Sequence, residues 1–105
     1  MPSSLNTLQA QALAKATQVR SSRAALHTHL KHMPPQEARQ IATDLIHDTP
    51  DWLNTQLTIK LLQQIPYVGT ARAEKYMARA GVGFGLQIRA LTVRQRQQLA
   101  QELLP

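Results

Sequence analysis

The chain contains no cysteine. That absence excludes disulfides, thiolate zinc sites and thiol nucleophiles. Aromatic residues make up only 4% of the sequence, so the core must be built from Leu, Ile, Val, Ala and Met. Acidic residues are scarce, 6 against 12 basic ones, which leaves a net charge of +6. No apolar run approaches the length of a membrane span. The opening residues Met1-Pro2-Ser3-Ser4-Leu5-Asn6 lack the basic and apolar regions of a secretion signal, so a cytoplasmic protein is expected. The carboxylates show no paired spacing suited to acid–base catalysis. His29 and His32 are three apart and share a helix face, but no third ligand accompanies them, and no metal is expected. Gly83-Phe84-Gly85 has neither phosphate-loop spacing nor a preceding strand and reads as a turn. The expectation is a protein that is not an enzyme and works without a cofactor.

What is present is positive charge, unevenly placed. Residues 1–34 hold Lys15, Arg20, Arg23 and Lys31 and no acid. Residues 35–54 hold Arg39 against Glu37, Asp44, Asp48 and Asp51. The remainder is basic again, with only Glu74 and Glu102 as acids. Two basic ends around an acidic middle imply a directed surface for a polyanion.

The pattern along the chain is helical throughout, with no convincing strand and no repeat. A first helix is expected from about Ser4 to His32, with Ser4 as N-cap and dense Ala, Leu, Gln and Lys following. Unbroken, it is about 43 Å long at 1.5 Å per residue, and its first turns should project. Leu8, Ala12, Val19, Leu26, Leu30 and Met33 share one arc of it. Arg20, Arg23, His27 and Lys31 form a basic row beside that arc, with no acid at the i+3 or i+4 positions to pair with it.

Pro34-Pro35 ends this helix. A second is expected over about Pro35–His47, packing Ala38, Ile41, Ala42 and Leu45. Thr49-Pro50-Asp51-Trp52-Leu53 reads as a capped single turn with Pro50 at its first position and Trp52 in or over the core. A short helix over about Thr58–Gln64 follows. Gly81 is the expected C-cap of the next helix. Thr92-Val93-Arg94-Gln95 spells a capping box that opens the last helix, with Val93, Leu99 and Leu103 facing inward.

The chain is organised around Ile65-Pro66-Tyr67-Val68-Gly69-Thr70-Ala71-Arg72-Ala73-Glu74-Lys75-Tyr76-Met77. Pro66 stops one helix. Gly69 is expected at a turn position where positive φ is cheap, with Thr70 as the N-cap of a helix to about Ala80. The backbone N–H groups after Gly69 then lack intrahelical partners at the positive end of the helix, a place that binds phosphate. Arg72 and Lys75 flank it.

The pattern apolar-Pro-x-Val-Gly-x-x-x-Ala resembles the helix-hairpin-helix and helix-two-turn-helix hairpins that grip nucleic-acid backbones. The blocks Ala12-Leu13-Ala14-Lys15-Ala16, Arg20-Ser21-Ser22-Arg23-Ala24-Ala25-Leu26, Lys60-Leu61-Leu62-Gln63-Gln64-Ile65-Pro66 and Arg89-Ala90-Leu91-Thr92-Val93-Arg94-Gln95-Arg96 make the likeness more specific. Taken in order over roughly residues 10–103, they resemble the actinobacterial type of integration host factor, a small nucleoid-associated family. The resemblance implies an all-α fold. A long N-terminal helix with the basic row, residues 1–34, packs on a compact helical domain, residues 35–105, as one structural unit.

The resemblance also implies a monomeric, nucleoid-located protein that binds double-stranded DNA with little sequence preference, organises the chromosome and supports phage integrase complexes. Carried over by position, the implied DNA-binding residues are Val68, Gly69, Thr70, Arg72 and Lys75 of the hairpin, Arg94 and Arg96 of the last helix, and Arg20 and Arg23 of the first. The family more often has glycine or a basic residue at Tyr67, and usually lysine at Thr70. Met33-Pro34-Pro35 replaces a looser loop, so the chain is expected to be a divergent member. The rival readings are an RNA-binding protein related to a head-domain protein of the small ribosomal subunit, and a helical protein–protein adaptor. The length of the first helix favours two electropositive surfaces, one on that helix and one on the hairpin.

Overall fold

The computed structural model describes residues 4–105, with side chains from residue 8 onward. The reading of residues 1–6 as free of a secretion signal, and the capping role of Ser4, lie outside what is described. Five α-helices follow in order: α1 Ser4–Lys31, α2 Pro35–His47, α3 Thr58–Gln63, α4 Thr70–Ala80 and α5 Val93–Leu103. Short 3-10 turns stand at Asp51–Leu53 and Ile88–Ala90. Among the described residues the only β pairing is an isolated bridge between Leu57 and Gln87. The all-α expectation holds, with each helix within a residue or so of its expected bounds.

Helices α4 and α2 pack on α5, α3 packs on α4, and α1 lies on the Asp51–Leu53 turn. The core they enclose is aliphatic, as the shortage of aromatics requires. Leu30, Ile46, Leu61, Leu62, Met77, Leu99 and Leu103 are fully buried or nearly so. Burying one such side chain is worth about 1.5–3 kcal/mol. In α2 the buried positions are Ala38, Ala42, Thr43 and Ile46. Ile41 and Leu45, expected on that face, are only partly covered.

Helix α1 enters the core only through its C-terminal half. Leu30 is buried and Leu26 is partly covered, but Leu8 and Leu13 are 62% and 66% exposed. Its N-terminal half thus extends past the globule, in keeping with principal extents of 58 × 29 × 22 Å. Of the apolar arc expected along the helix, Leu8 and Ala12 are exposed, with no described residue covering them.

The helix ends show where residue chemistry decided the outcome. Thr92 caps α5 with the expected box: its Oγ1 accepts from Gln95 N–H at 3.1 Å, and Gln95 Oε1 accepts from Thr92 N–H at 2.9 Å. Gly81 closes α4 in the left-handed region, with φ 70°. Three local expectations fail. Pro50 precedes the Asp51–Leu53 turn instead of opening it, and Thr49 does not cap that turn, because its hydroxyl donates back to Leu45 O at 2.7 Å. Val93 does not face inward; it is the first residue of α5 and is 72% exposed.

Candidate nucleic-acid interface

The hairpin between α3 and α4 is built from one tight turn. Val68 N–H donates to Ile65 O at 3.1 Å, across Pro66 and Tyr67. Pro66 occupies the position where its fixed φ is favourable, and Tyr67 follows with φ 65°. This is the pattern of a type II turn, which demands positive φ at the third residue. The positive φ expected at Gly69 is therefore at Tyr67. Gly69 itself has φ −81° and ψ −178°, extended backbone. Val68 points inward and is buried, anchoring the turn to the core.

Gly69, not Thr70, is the N-cap of α4; Thr70 is its first helical residue. Having no side chain, Gly69 offers no capping hydrogen bond to α4. The first intrahelical bond is Ala73 N–H to Gly69 O at 3.0 Å. The N–H groups of residues 69–72 therefore have no acceptor among the described residues, and they lie at the positive end of the helix. Thr70 Oγ1 accepts from Gln63 Nε2 at 3.4 Å, which ties α4 back to α3. Arg72 and Lys75 are exposed on the first turns of α4. Ala73 supplies the contact of this first turn with the core, and Ala71 stays exposed.

A shallow cleft of about 440 Å³ opens beside this helix start. One wall is the hairpin from Gln63 to Gly69; the other is His27 and Lys31 of α1. His27 and Lys31, the distal part of the α1 basic row, therefore border the hairpin, although the row was expected to lie on a surface apart from it. Gln64, also on this wall, has a buried Oε1 without a hydrogen-bond partner among the described residues.

The rest of the row divides. Arg20 is exposed. Arg23 turns inward: its Nε donates to Trp52 O and its Nη2 to Thr55 Oγ1, both at 2.7 Å. It fastens α1 to the segment after α2. The helical wheel supplies the reason: at ~100° per residue, Arg23 lies ~20° from the buried Leu30, whereas Arg20 lies ~80° away.

The two arginines at the start of α5 diverge likewise. Arg94 is exposed, beside Thr92, Gly81 and Arg79 in a second depression. Arg96 is spent inside the fold. Its Nε donates to Leu91 O at 3.2 Å, its Nη2 to Ile88 O at 2.9 Å, and its Nη1 to Ile46 O and to Thr49 Oγ1. One guanidinium thus closes the ends of α2 and of the Ile88–Ala90 turn. Of the five N–H donors on an arginine, one is left for any outside ligand.

Two basic residues outside the expected set lie near this machinery. Lys60 is exposed on α3. Arg89 is exposed and lines a depression with Lys15, Asp51 and Trp52. The signal for both was net charge alone. No group of three or more His, Asp or Glu residues able to hold a metal occurs among the described residues, and no described helix is long and apolar enough to cross a membrane.

The architecture has a solved counterpart. A structure entitled "Structure of sIHF bound to an 8bp palindromic DNA" is similar to this one with a TM-score of 0.63 and 27% sequence identity. The match covers 86% of this chain and 98% of the other. The fold is therefore that of an integration-host-factor-like protein. No family model matches the sequence, and neither does any curated relative.

Proposed function

We propose that this protein binds duplex DNA through its phosphates, with little sequence specificity, as a nucleoid-associated protein of the actinobacterial integration host factor type. The observation that carries the reading is the cleft that Lys31 and His27 of α1 share with Gly69, the N-cap that opens a helix start whose N–H groups at residues 69–72 have no partner among the described residues. A phosphate at the helix start meets both hydrogen-bond donors and positive charge. The likeness to DNA-bound sIHF supports the same ligand.

In this reading Gly69 and Thr70 offer backbone donors, and Val68 sets the turn. Arg72 and Lys75 hold flanking phosphates, and Arg94 extends the track. Arg23 and Arg96 act as positioning residues. Lys15, on the projecting half of α1, and Arg20, exposed just past it, reach a further DNA segment at high coverage. Few side chains are placed to read base edges, so phosphate contacts dominate. The protein acts as a monomer in the cytoplasm, at the nucleoid. Chromosome organisation and support of phage integrase complexes follow from such binding.

The test is a side-by-side titration of the full chain on duplex DNA and on structured RNA across a salt series. With about five to seven phosphates engaged, log K against log salt for the duplex falls with a slope of roughly −4.5 to −6. Duplexes of scrambled sequence bind alike. A salt-independent affinity, or clear preference for the RNA, rejects the reading.

A further inference from the structure

Tyr67 is the only non-glycine residue with positive φ among the described residues, at 65°. Its side chain is 84% exposed. The third position of a type II turn is filled at least cost by glycine. Tyrosine there carries backbone strain and recovers nothing through burial. Its hydroxyl makes no hydrogen bond among the described residues, so the fold gives no reason for the side chain. Strain of this kind persists where it serves a function.

The position supplies one. Tyr67 lines the cleft with His27 and Lys31 and lies two residues before the first unpartnered N–H of α4. A phosphate held at that helix start brings the sugar and base edge of the adjoining nucleotide toward the ring. Tyrosine has an apolar body and a polar tip, which suits a surface that is part sugar and part water. The turn is pinned by Pro66 and by the Val68 to Ile65 hydrogen bond, so the backbone from which the ring projects is set before any ligand arrives.

We propose that Tyr67 packs its ring on the deoxyribose and base edge of the nucleotide next to the phosphate held at the start of α4. The proposal deepens the duplex-DNA reading and rests on it. The ring contributes affinity that does not depend on salt, because no counterion is released when it docks. Phosphate contacts have the opposite signature: each adds about −0.9 to the salt slope.

The experiment compares the parent, Tyr67→Phe, Tyr67→Ala, Tyr67→Gly and Arg72→Ala, as full chains, by anisotropy titration on a short labelled duplex at several salt concentrations, with thermal melts of each. Tyr67→Ala and Tyr67→Gly are expected to bind roughly 5- to 10-fold more weakly at every salt, with the slope unchanged. Tyr67→Phe stays within about twofold of the parent. Arg72→Ala lowers the slope by about one. Tyr67→Gly melts about 4 °C higher than the parent, because the strain is relieved.

Three results overturn the assignment of the ring while leaving DNA binding intact. Tyr67→Ala binds like the parent; or Tyr67→Phe is as weak as Tyr67→Ala, which makes the hydroxyl a phosphate ligand; or Tyr67→Gly melts below the parent, which makes the ring part of the fold. A parent without salt-dependent duplex binding removes the DNA reading itself, and the proposal falls with it.

Discussion

Lys31, the last residue of α1, and Gly69, the N-cap of α4, line the same cleft although all of α2 and all of α3 separate them in the chain. A charge on one helix therefore acts on a ligand seated at the start of another. Lys31→Ala and Arg72→Ala are each predicted to weaken binding to a short duplex and to lower the salt slope by about one. Together they lower it by about two. The measurement is the slope from titrations at several salt concentrations. A Lys31→Ala variant with parental affinity and slope places α1 outside the short-duplex surface.

Arg96 and Arg94 stand two residues apart and do different work. Arg96→Met removes donors from Ile46 O, Ile88 O, Leu91 O and Thr49 Oγ1. Stranding partly buried acceptors costs about 1–3 kcal/mol for each group left without a partner. A loss of about 3 kcal/mol or more in unfolding free energy is expected from urea denaturation, with the midpoint shifted and the m-value kept. Arg94→Ala, at an exposed position, is expected to melt like the parent and to bind duplex DNA more weakly. Equal stability losses in the two variants contradict this division.

The same pair shows how far the sequence was legible. Arg23, Arg39 and Arg96 each precede a buried aliphatic residue by seven positions: Leu30, Ile46 and Leu103. Seven residues are nearly two helical turns, so each arginine lies ~20° from a core residue on the wheel. All three bond inside the molecule. Arg39 reaches Leu103 O and Tyr76 Oη, and its guanidinium stands 5.7 Å from the Tyr76 ring centroid. Net charge counted these arginines as surface; the wheel angle separates them from Arg20 and Arg94. Helix order, the Thr92 cap and the Gly81 stop were readable because local residue chemistry sets them. The meeting of Lys31 with the hairpin was not, because it depends on how α1 docks, and that is set by Leu30 burial and the Arg23 tether. The Tyr67 turn was hidden because a nearby glycine drew the positive φ to the wrong residue.

Gly81 is predicted to be the glycine that the fold requires. Its φ of 70° strains any L side chain even though the space around it is open. Gly81→Ala is expected to cost about 1 kcal/mol, read as a drop in melting temperature of about 4–8 °C, with duplex affinity at low temperature unchanged. An unchanged melting temperature removes the argument from the left-handed C-cap.

Gly69 offers the sharper contrast, because stability and binding move in opposite directions there. Its φ is ordinary, and a Cβ built on it meets nothing within 4 Å. Gly69→Ser is therefore tolerated by the backbone. Its hydroxyl can accept from the N–H of Ala71 or Arg72, as N-cap serines do, and it reduces the freedom of the unfolded chain. The variant is expected to gain about 0.5 kcal/mol or more in stability. The same hydroxyl occupies a donor that a phosphate would take, and it projects into the approach to the helix start. Duplex affinity is expected to fall several-fold, while Arg72 and Lys75 keep their charge and the salt slope changes by less than about one. Urea denaturation and duplex titration on the same preparation check both halves. A Gly69→Ser protein that is more stable and binds as tightly as the parent shows that the free N–H groups of α4 do not hold the phosphate.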